Sequence, residues 1–141
     1  DLVREQICVA SGEKIFTTQE NVKPLGHSIE CRINAENSKD FKPSAGTIGL
    51  FHPPAGNGIR LDTFIYSGYR VPHYYDNLLA KLIATGRTRN HAIKRALRSL
   101  NEIVIDGVET NVELHKKILS SKDFKDGSVS INWLENKIAS L

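Results

Sequence analysis

The sequence predicts an α+β fold in which an antiparallel β-sheet from the first half carries helices from the second half. Residues 27–36 alternate strictly between apolar and polar side chains, which is the period of a half-buried strand. Residues 88–104 instead repeat apolar side chains every three or four positions, which is the period of an amphipathic helix. A run of strands followed by a run of helices is typical of α+β domains, and 141 residues suffice for one domain.

An N-terminal helix over residues 1–11 is predicted to precede the sheet. Asp1 is a favourable N-cap, and Gly12 is placed to end the helix. A polar loop, residues 13–25, then leads to the first strand. The apolar side chains that recur at helical spacing are Leu2, Val3, Ile7 and Ala10.

The first strand is predicted over residues 27–36. Because His27 falls on the apolar side, we expect it to be a hydrogen-bonded core residue. The apolar face contains His27, Ile29, Cys31, Ile33 and Ala35, and the polar face contains Ser28, Glu30, Arg32, Asn34 and Glu36.

The rest of the first half is predicted to form short antiparallel strands. Prolines and glycines are frequent in residues 37–63, with β-like pieces at 47–51 and 59–61. Residues 78–85 are an apolar run of strand length that Gly86 closes. Four tyrosines are expected to pack in the core or at an interface: Tyr66, Tyr69, Tyr74 and Tyr75.

The second half is predicted to be helical. Thr88 is the expected N-cap of the long helix, which we expect to end at Asp106-Gly107. A last helix is predicted over residues 132–141. Between them a shorter helix is predicted over residues 111–120, with inward side chains Leu114, Ile118 and Leu119.

Composition favours a reducing, cytoplasmic setting. The two cysteines, Cys8 and Cys31, lack metal-ligand spacing, so neither a disulfide framework nor a metal site is predicted. No apolar run reaches the length of a membrane span, and a net charge of +3 is mild. Basic side chains at 87–98 are ordinary for the solvent face of a helix, so we expect no nucleic acid and no membrane partner. A helix that begins at the first residue, without any methionine, indicates a piece of a longer polypeptide.

The polar face of the first strand contains the candidate catalytic residue, Arg32. Its neighbours Glu30 and Asn34 can simply satisfy it on a solvated strand surface. Alternatively, an arginine held between carboxylates on a rigid strand presents planar donors to a carbonyl or oxyanion and stabilises the charge that develops there. Residue types alone leave both interpretations open.

Six segments resemble, in order, the biotin carboxylase C-terminal domain family: DLVREQ (1–6), GHSIECRINAE (26–36), PSAGTI (43–48), GIRLD (58–62), YYDNLLAKLI (74–83) and DGVETN (106–111). The match extends over residues 1–141, and it implies that the helix within residues 1–12 belongs to the end of a preceding ATP-grasp unit. In that family, bicarbonate is joined to the ureido nitrogen of biotin with ATP and Mg, and the metal ligands lie upstream of this domain.

The resemblance also implies roles for single residues. Arg32, within ECRINAE, matches the family's biotin-contacting arginine, and Ile131 matches a position near the adenine ring of ATP. Asn132 stands where some members carry a histidine, so no nucleotide contact is assigned to it. ECRINAE favours the acyl-CoA carboxylase branch, and hence the first half-reaction of acetyl-CoA carboxylase in fatty acid biosynthesis.

Partners follow from the same resemblance. Arg60 and Asp76 match positions at or near a two-fold dimer interface, where Asn57 replaces a large aromatic and a weaker or altered dimer is expected. The other expected partners are the upstream ATP-grasp region of the same polypeptide and a biotin carboxyl carrier protein or domain. The chain by itself is expected to be inactive. The alternative function is that of a non-catalytic structural or dimerisation module.

Overall fold

A computed structural model, which describes residues 1–137, confirms the α+β fold. Its strands are β1 His27–Asn34, β2 Gly46–Thr47, β3 Phe51–His52, β4 Ile59–Thr63, β5 Arg70–Val71, β6 Leu78–Gly86 and β7 Val104–Ile105. Its helices are α1 Leu2–Ala10, α2 Arg89–Glu102, α3 Val112–Ser120, α4 Lys122–Asp126 and α5 Trp133–Lys137. Helix α4 was not predicted, and residues 138–141 of the predicted last helix lie outside the described residues.

Strand β6 is the centre of the main sheet. It pairs antiparallel with β1 on one side and with β4 on the other, in the order β1-β6-β4. Strands β2 and β5 form a separate two-stranded sheet, and β3 pairs with β7. The first half therefore contributes to three small antiparallel sheets, since its short strands pair with different partners.

Helix α2 covers one face of the main sheet. As predicted, Thr88 caps this helix by accepting a hydrogen bond from the His91 amide. Burial, with a smaller contribution from Glu30, raises the pKa of the Cys31 thiol to about 12. The core beneath α2 consists of Ile29, Cys31, Ile33, Ala80, Leu82, Ala84, Ala92, Ile93, Ala96, Leu100, Ile103, Val112 and Leu119. A second, smaller core consists of Ala35, Ile48, Ile65, Val71 and Leu79.

Helix α1 forms where the sequence predicts it, but none of its residues is buried. Asp1 Oδ1 caps the helix by accepting a hydrogen bond from the Arg4 amide at 3.0 Å. Leu2 is 84% exposed, and the apolar side chains of Val3 and Ile7 are exposed as well. The apolar side of α1 is thus not covered by either core of the described chain.

The long helix ends at Glu102, so the predicted end at Asp106-Gly107 is wrong. Ile103 is already extended, with φ −64° and ψ 131°, and the following two residues form β7 opposite β3. The run Ile103–Ile105 is β-branched throughout, which favours a strand once a partner is available. The partner strand, β3, lies about 50 residues earlier, so the periodicity of residues 88–104 could not indicate this pairing.

Two expectations about burial also need correction. His27 is exposed rather than a core residue, because it is the first residue of β1 and the core lies further along the strand. Among the tyrosines, Tyr69 packs against the second core, whereas Tyr74 and Tyr75 are 81% and 82% exposed. Tyr66 is exposed but contacts the Tyr69 ring edge-to-face. Of the four tyrosines, only Tyr69 therefore packs against a core.

Candidate functional site

Arg32 lies on the face of the main sheet opposite α2. Its side chain alternates with the buried Cys31 and Ile33, so it is directed away from the core. In the sheet register, Arg32 is opposite Lys81 of β6, and Lys81 is opposite Asp62 of β4. Adjacent strands lie about 4.8 Å apart, so these three side chains form one row across the sheet. We call Glu30, Arg32, Arg60, Asp62 and Lys81 the charged face.

The guanidinium of Arg32 is exposed, and among residues 1–137 it makes no hydrogen bond or ion pair. The carboxamide of Asn34 donates instead to Glu36, and the nearest residue across the sheet, Lys81, is another cation. The interpretation in which Glu30 and Asn34 satisfy Arg32 is therefore not what the structure shows. Its donors are available to an acceptor outside the described chain.

The backbone of Arg32, in contrast, is firmly held. Asn111 Nδ2 donates to the Arg32 carbonyl oxygen at 3.1 Å, and His115 Nε2 contacts the same oxygen at 2.9 Å. Because a carbonyl oxygen only accepts, His115 must carry its proton on Nε2. Asn111 Oδ1 also accepts from the Asn34 amide at 2.9 Å. These bonds fix the outer edge of β1 at the position of Arg32.

Glu36 completes this polar cluster at the end of β1. One carboxylate oxygen accepts from Asn111 at 2.9 Å and from Asn34 at 3.3 Å, and the other accepts from Asn77 at 2.9 Å. The register between β1 and β6 shifts between Ile33 and Asn34, so the cluster lies at this irregularity of the sheet. Asn34 Oδ1 is buried and has no hydrogen-bond partner among the described residues.

Arg60 and Asp62 form a bidentate ion pair on the same charged face. Arg60 Nε and Nη2 donate to the two carboxylate oxygens of Asp62, each at 2.8 Å. These hydrogen bonds hold the pKa of Asp62 below its ordinary value, with further contributions from the charges of Arg60 and Lys81. Both side chains are exposed, so the pair adds little to the stability of the domain by itself.

Asp76 lies at the opposite end of β6 from Arg60. Its Oδ1 accepts a hydrogen bond from the Leu78 amide at 2.9 Å, a local contact that starts the strand. Arg60 is opposite Ile83, which lies five residues after Leu78, or about 17 Å along the strand. The structure thus does not bring the two predicted interface residues together, and one partner surface must be broad to contact both.

Ile131 is 96% exposed, the highest value among the large apolar side chains of the described chain. It follows α4 and precedes α5, away from both cores. A single exposed apolar side chain is ordinary on a protein surface, so a place for Ile131 near a nucleotide stays a prediction. Asn132 beside it is exposed as well.

Three of the basic side chains of α2 have structural contacts. Arg89 donates to the Phe124 carbonyl and stacks over its ring, and Arg95 donates to the Thr85 carbonyl. Arg98 pairs with Glu102 one turn later. These contacts agree with the prediction of an ordinary helix surface. Within residues 1–137 there is no group of three potential metal ligands, and no helix is long and apolar enough to cross a membrane.

Sequence reasoning missed Asn111 and His115. They lie 79 and 83 positions after Arg32, a separation that no local pattern bridges. A signal was nevertheless present, because positions i and i+4 at the start of a predicted helix lie on one face. Asn111 also ends DGVETN, which with PSAGTI is one of the two segments of the resemblance to which no role was given.

The environment of His115 predicts a pH-dependent stability. Burial lowers the pKa of His115 below its ordinary value of 6.5, against the raising effects of the Arg32 carbonyl and Glu36. A depressed pKa in the folded state means that this stabilisation is present above pH 6.5 and is lost as the pH falls through the folded pKa. The free energy of unfolding of the chain should therefore fall between pH 7.5 and 5.5, and part of this fall should vanish in His115→Gln. Urea unfolding at both pH values measures it, and identical pH dependence in the two proteins contradicts it.

Comparison with known proteins supports the resemblance. The profile of the family described as "Biotin carboxylase C-terminal domain" matches residues 30–136. The chain is similar to a biotin carboxylase of Pseudomonas aeruginosa, with 47% identity over 138 residues. This alignment covers 98% of the chain but 31% of that relative, so the chain spans less than a third of its length.

Solved structures show the same relationship. A biotin carboxylase complex from Campylobacter jejuni matches with a TM-score of 0.89 and 39% identity, over 96% of this chain and 30% of that one. The biotin carboxylase domain dimer of Hydrogenobacter thermophilus 2-oxoglutarate carboxylase, which holds MgADP, ADP and bicarbonate, matches with a TM-score of 0.90 and 41% identity. That alignment covers 97% of this chain and 30% of the other. The chain therefore belongs to the biotin carboxylase C-terminal domain family.

Proposed function

We propose that the chain is the C-terminal part of a biotin carboxylase, whose parent protein carboxylates the ureido nitrogen of biotin with ATP and bicarbonate. The observation that carries the proposal is the unpaired, exposed guanidinium of Arg32 on a backbone fixed from both sides. Here the backbone is held and the side chain is left open, which suits a group that must meet a ligand.

The chemistry explains why a guanidinium suits this position. In the parent, bicarbonate is activated by ATP as carboxyphosphate, with release of ADP. The ureido nitrogen then loses its proton to a base of the parent and bonds to the carboxyl carbon of carboxyphosphate, whose C–O bond to phosphate breaks as phosphate leaves. As the proton departs, negative charge grows on the ureido oxygen. Arg32 directs planar N–H donors at that oxygen and stabilises the charge as it forms.

The remaining parts of the reaction belong to the rest of the parent. We assign α1 to the end of a preceding ATP-grasp unit, since its apolar side is exposed in the described chain and needs a partner. Ligands for Mg and the phosphates are proposed to lie in that unit, and Ile131 to pack near the adenine ring. A biotin carboxyl carrier protein or domain would deliver biotin to Arg32. The isolated chain is then inactive, and ECRINAE favours acetyl-CoA carboxylase as the parent's system.

Arg32→Ala in the full-length parent tests the proposal. Removal of a donor that acts on developing charge should lower kcat/KM for biotin carboxylation on the order of 10²–10³-fold. The affinity for ATP, measured by calorimetry, should stay at the parental value because the proposal assigns Arg32 to biotin and not to the nucleotide. Arg87→Ala, at another exposed arginine outside the charged face, is the matched control. Parental kcat/KM in Arg32→Ala would refute the catalytic role and favour the structural or dimerisation module.

Arg60, and with it Asp76, is proposed to contribute to a two-fold dimer of the parent. In a two-fold dimer the same surface is used by both copies, so one change acts twice. Arg60→Glu places a third negative charge beside Asp62 and Glu30 and removes the bidentate pair. We expect the dimer dissociation constant to rise about tenfold or more in sedimentation experiments. Arg87→Glu carries the same charge reversal elsewhere, and equal effects of the two variants would contradict the assignment.

A further inference from the structure

The segment DGVETN, residues 106–111, places the side chain of Asn111 against the edge of β1. Gly107 has φ +97°, and a Cβ there would collide with the Thr47 carbonyl, so the turn is pressed against β2. Ser38 Oγ donates to the Thr110 carbonyl at 2.9 Å, and the Glu109 amide donates to Ser44 Oγ at 3.0 Å. The loop is therefore held on two sides immediately before Asn111.

Asn111 occupies the N-cap position of α3 but does not cap it. The side chain of an N-cap asparagine ordinarily accepts a hydrogen bond from an amide in the first helical turn. At Asn111 no such bond is present, and the carboxamide is turned to β1 instead. Asn111 is 5% exposed, so this orientation is enforced by packing. The helix forgoes its cap in favour of the contact with the strand.

At β1 the Asn111 carboxamide replaces a neighbouring peptide group. Its oxygen accepts from the Asn34 amide at 2.9 Å, and its nitrogen donates to the Arg32 carbonyl at 3.1 Å. These two groups point outward from an edge strand, where a further strand would otherwise pair with them. One turn further along α3, His115 adds a second bond to the Arg32 carbonyl at 2.9 Å.

We propose that Asn111 and His115 are positioning residues for Arg32, which fix its backbone so that the guanidinium meets the ureido oxygen of biotin. The proposal rests on the function proposed above for Arg32. Arginine is long, so a small rotation of its Cα–Cβ bond displaces the guanidinium by a larger distance. A displacement of about 1 Å is enough to weaken catalysis strongly. Since the side chain itself has no partner in the described chain, the backbone contacts are what define its starting direction.

Paired substitutions in the full-length parent separate this role from simple stability. Asn111→Asp keeps the acceptor for Asn34 and is a good N-cap, but it sets an anionic oxygen against the Arg32 carbonyl and Glu36. His115→Leu removes the second donor, whereas His115→Gln retains one. We expect Asn111→Asp and His115→Leu to lower kcat/KM for biotin about tenfold or more. His115→Gln should stay close to the parental value, and ATP affinity should be unchanged in all three.

Double variants that combine Asn111→Asp or His115→Leu with Arg32→Ala give the most direct test. If Asn111 and His115 act through Arg32, either substitution should cause little further loss of kcat/KM in the Arg32→Ala background. A full additional loss there would show a role independent of Arg32 and overturn the proposal. Parental kcat/KM in both Asn111→Asp and His115→Leu, or equal losses in His115→Gln and His115→Leu, would overturn it too. These outcomes leave the function of Arg32 intact, whereas parental activity in Arg32→Ala removes both proposals.

Discussion

The pairing of β6 with a strand on each side is the constraint on which the rest of the structure depends. Since β1 and β4 both pair with β6, the side-chain alternation of the three strands is aligned across the sheet. One face then becomes apolar and binds α2, and the other becomes the charged face. A one-residue slip of β1 would exchange the two faces and bury Arg32. The position of the proposed catalytic residue is thus a consequence of sheet register.

Pairing with β6 holds only one side of the edge strand β1. Side-chain hydrogen bonds hold the other side. The outward backbone groups of Arg32 and Asn34 bond to the side chains of Asn111 and His115, so the edge is closed without another strand. Glu36 then ties this cluster to the register shift after Ile33. Apart from Asn34 Oδ1, the buried side-chain polar atoms of this cluster have hydrogen-bond partners, and such satisfied clusters rigidify a strand. The guanidinium of Arg32 stays exposed and, among residues 1–137, without a partner.

The elements that the sequence predicts well are those with a local signal. Helix α2 and strand β1 have clear periodicity, β6 is an apolar run of strand length, and Arg32 stands out on the polar face of β1. The elements that were missed depend on distant residues: β7 forms because β3 is available to pair with it, and Asn111 turns to β1 because the fold brings α3 there. His27 was misjudged for a related reason, since alternation marks a face but does not tell where the core beneath it ends.

In the proposed function, the domain supplies a small part of a larger site of the parent, and its contribution is geometric. It presents a cation on a rigid strand, an exposed apolar side chain at Ile131, and an exposed apolar helix α1 that another part of the parent would cover. The central claim is that the charged face meets biotin through Arg32. A crystal structure of the full-length parent with biotin and bicarbonate tests it most directly. We predict a guanidinium nitrogen of Arg32 within about 3.2 Å of the ureido oxygen, with the Asn111 and His115 contacts preserved. Biotin bound with its ureido oxygen on a different donor, and Arg32 in solvent, would contradict the account.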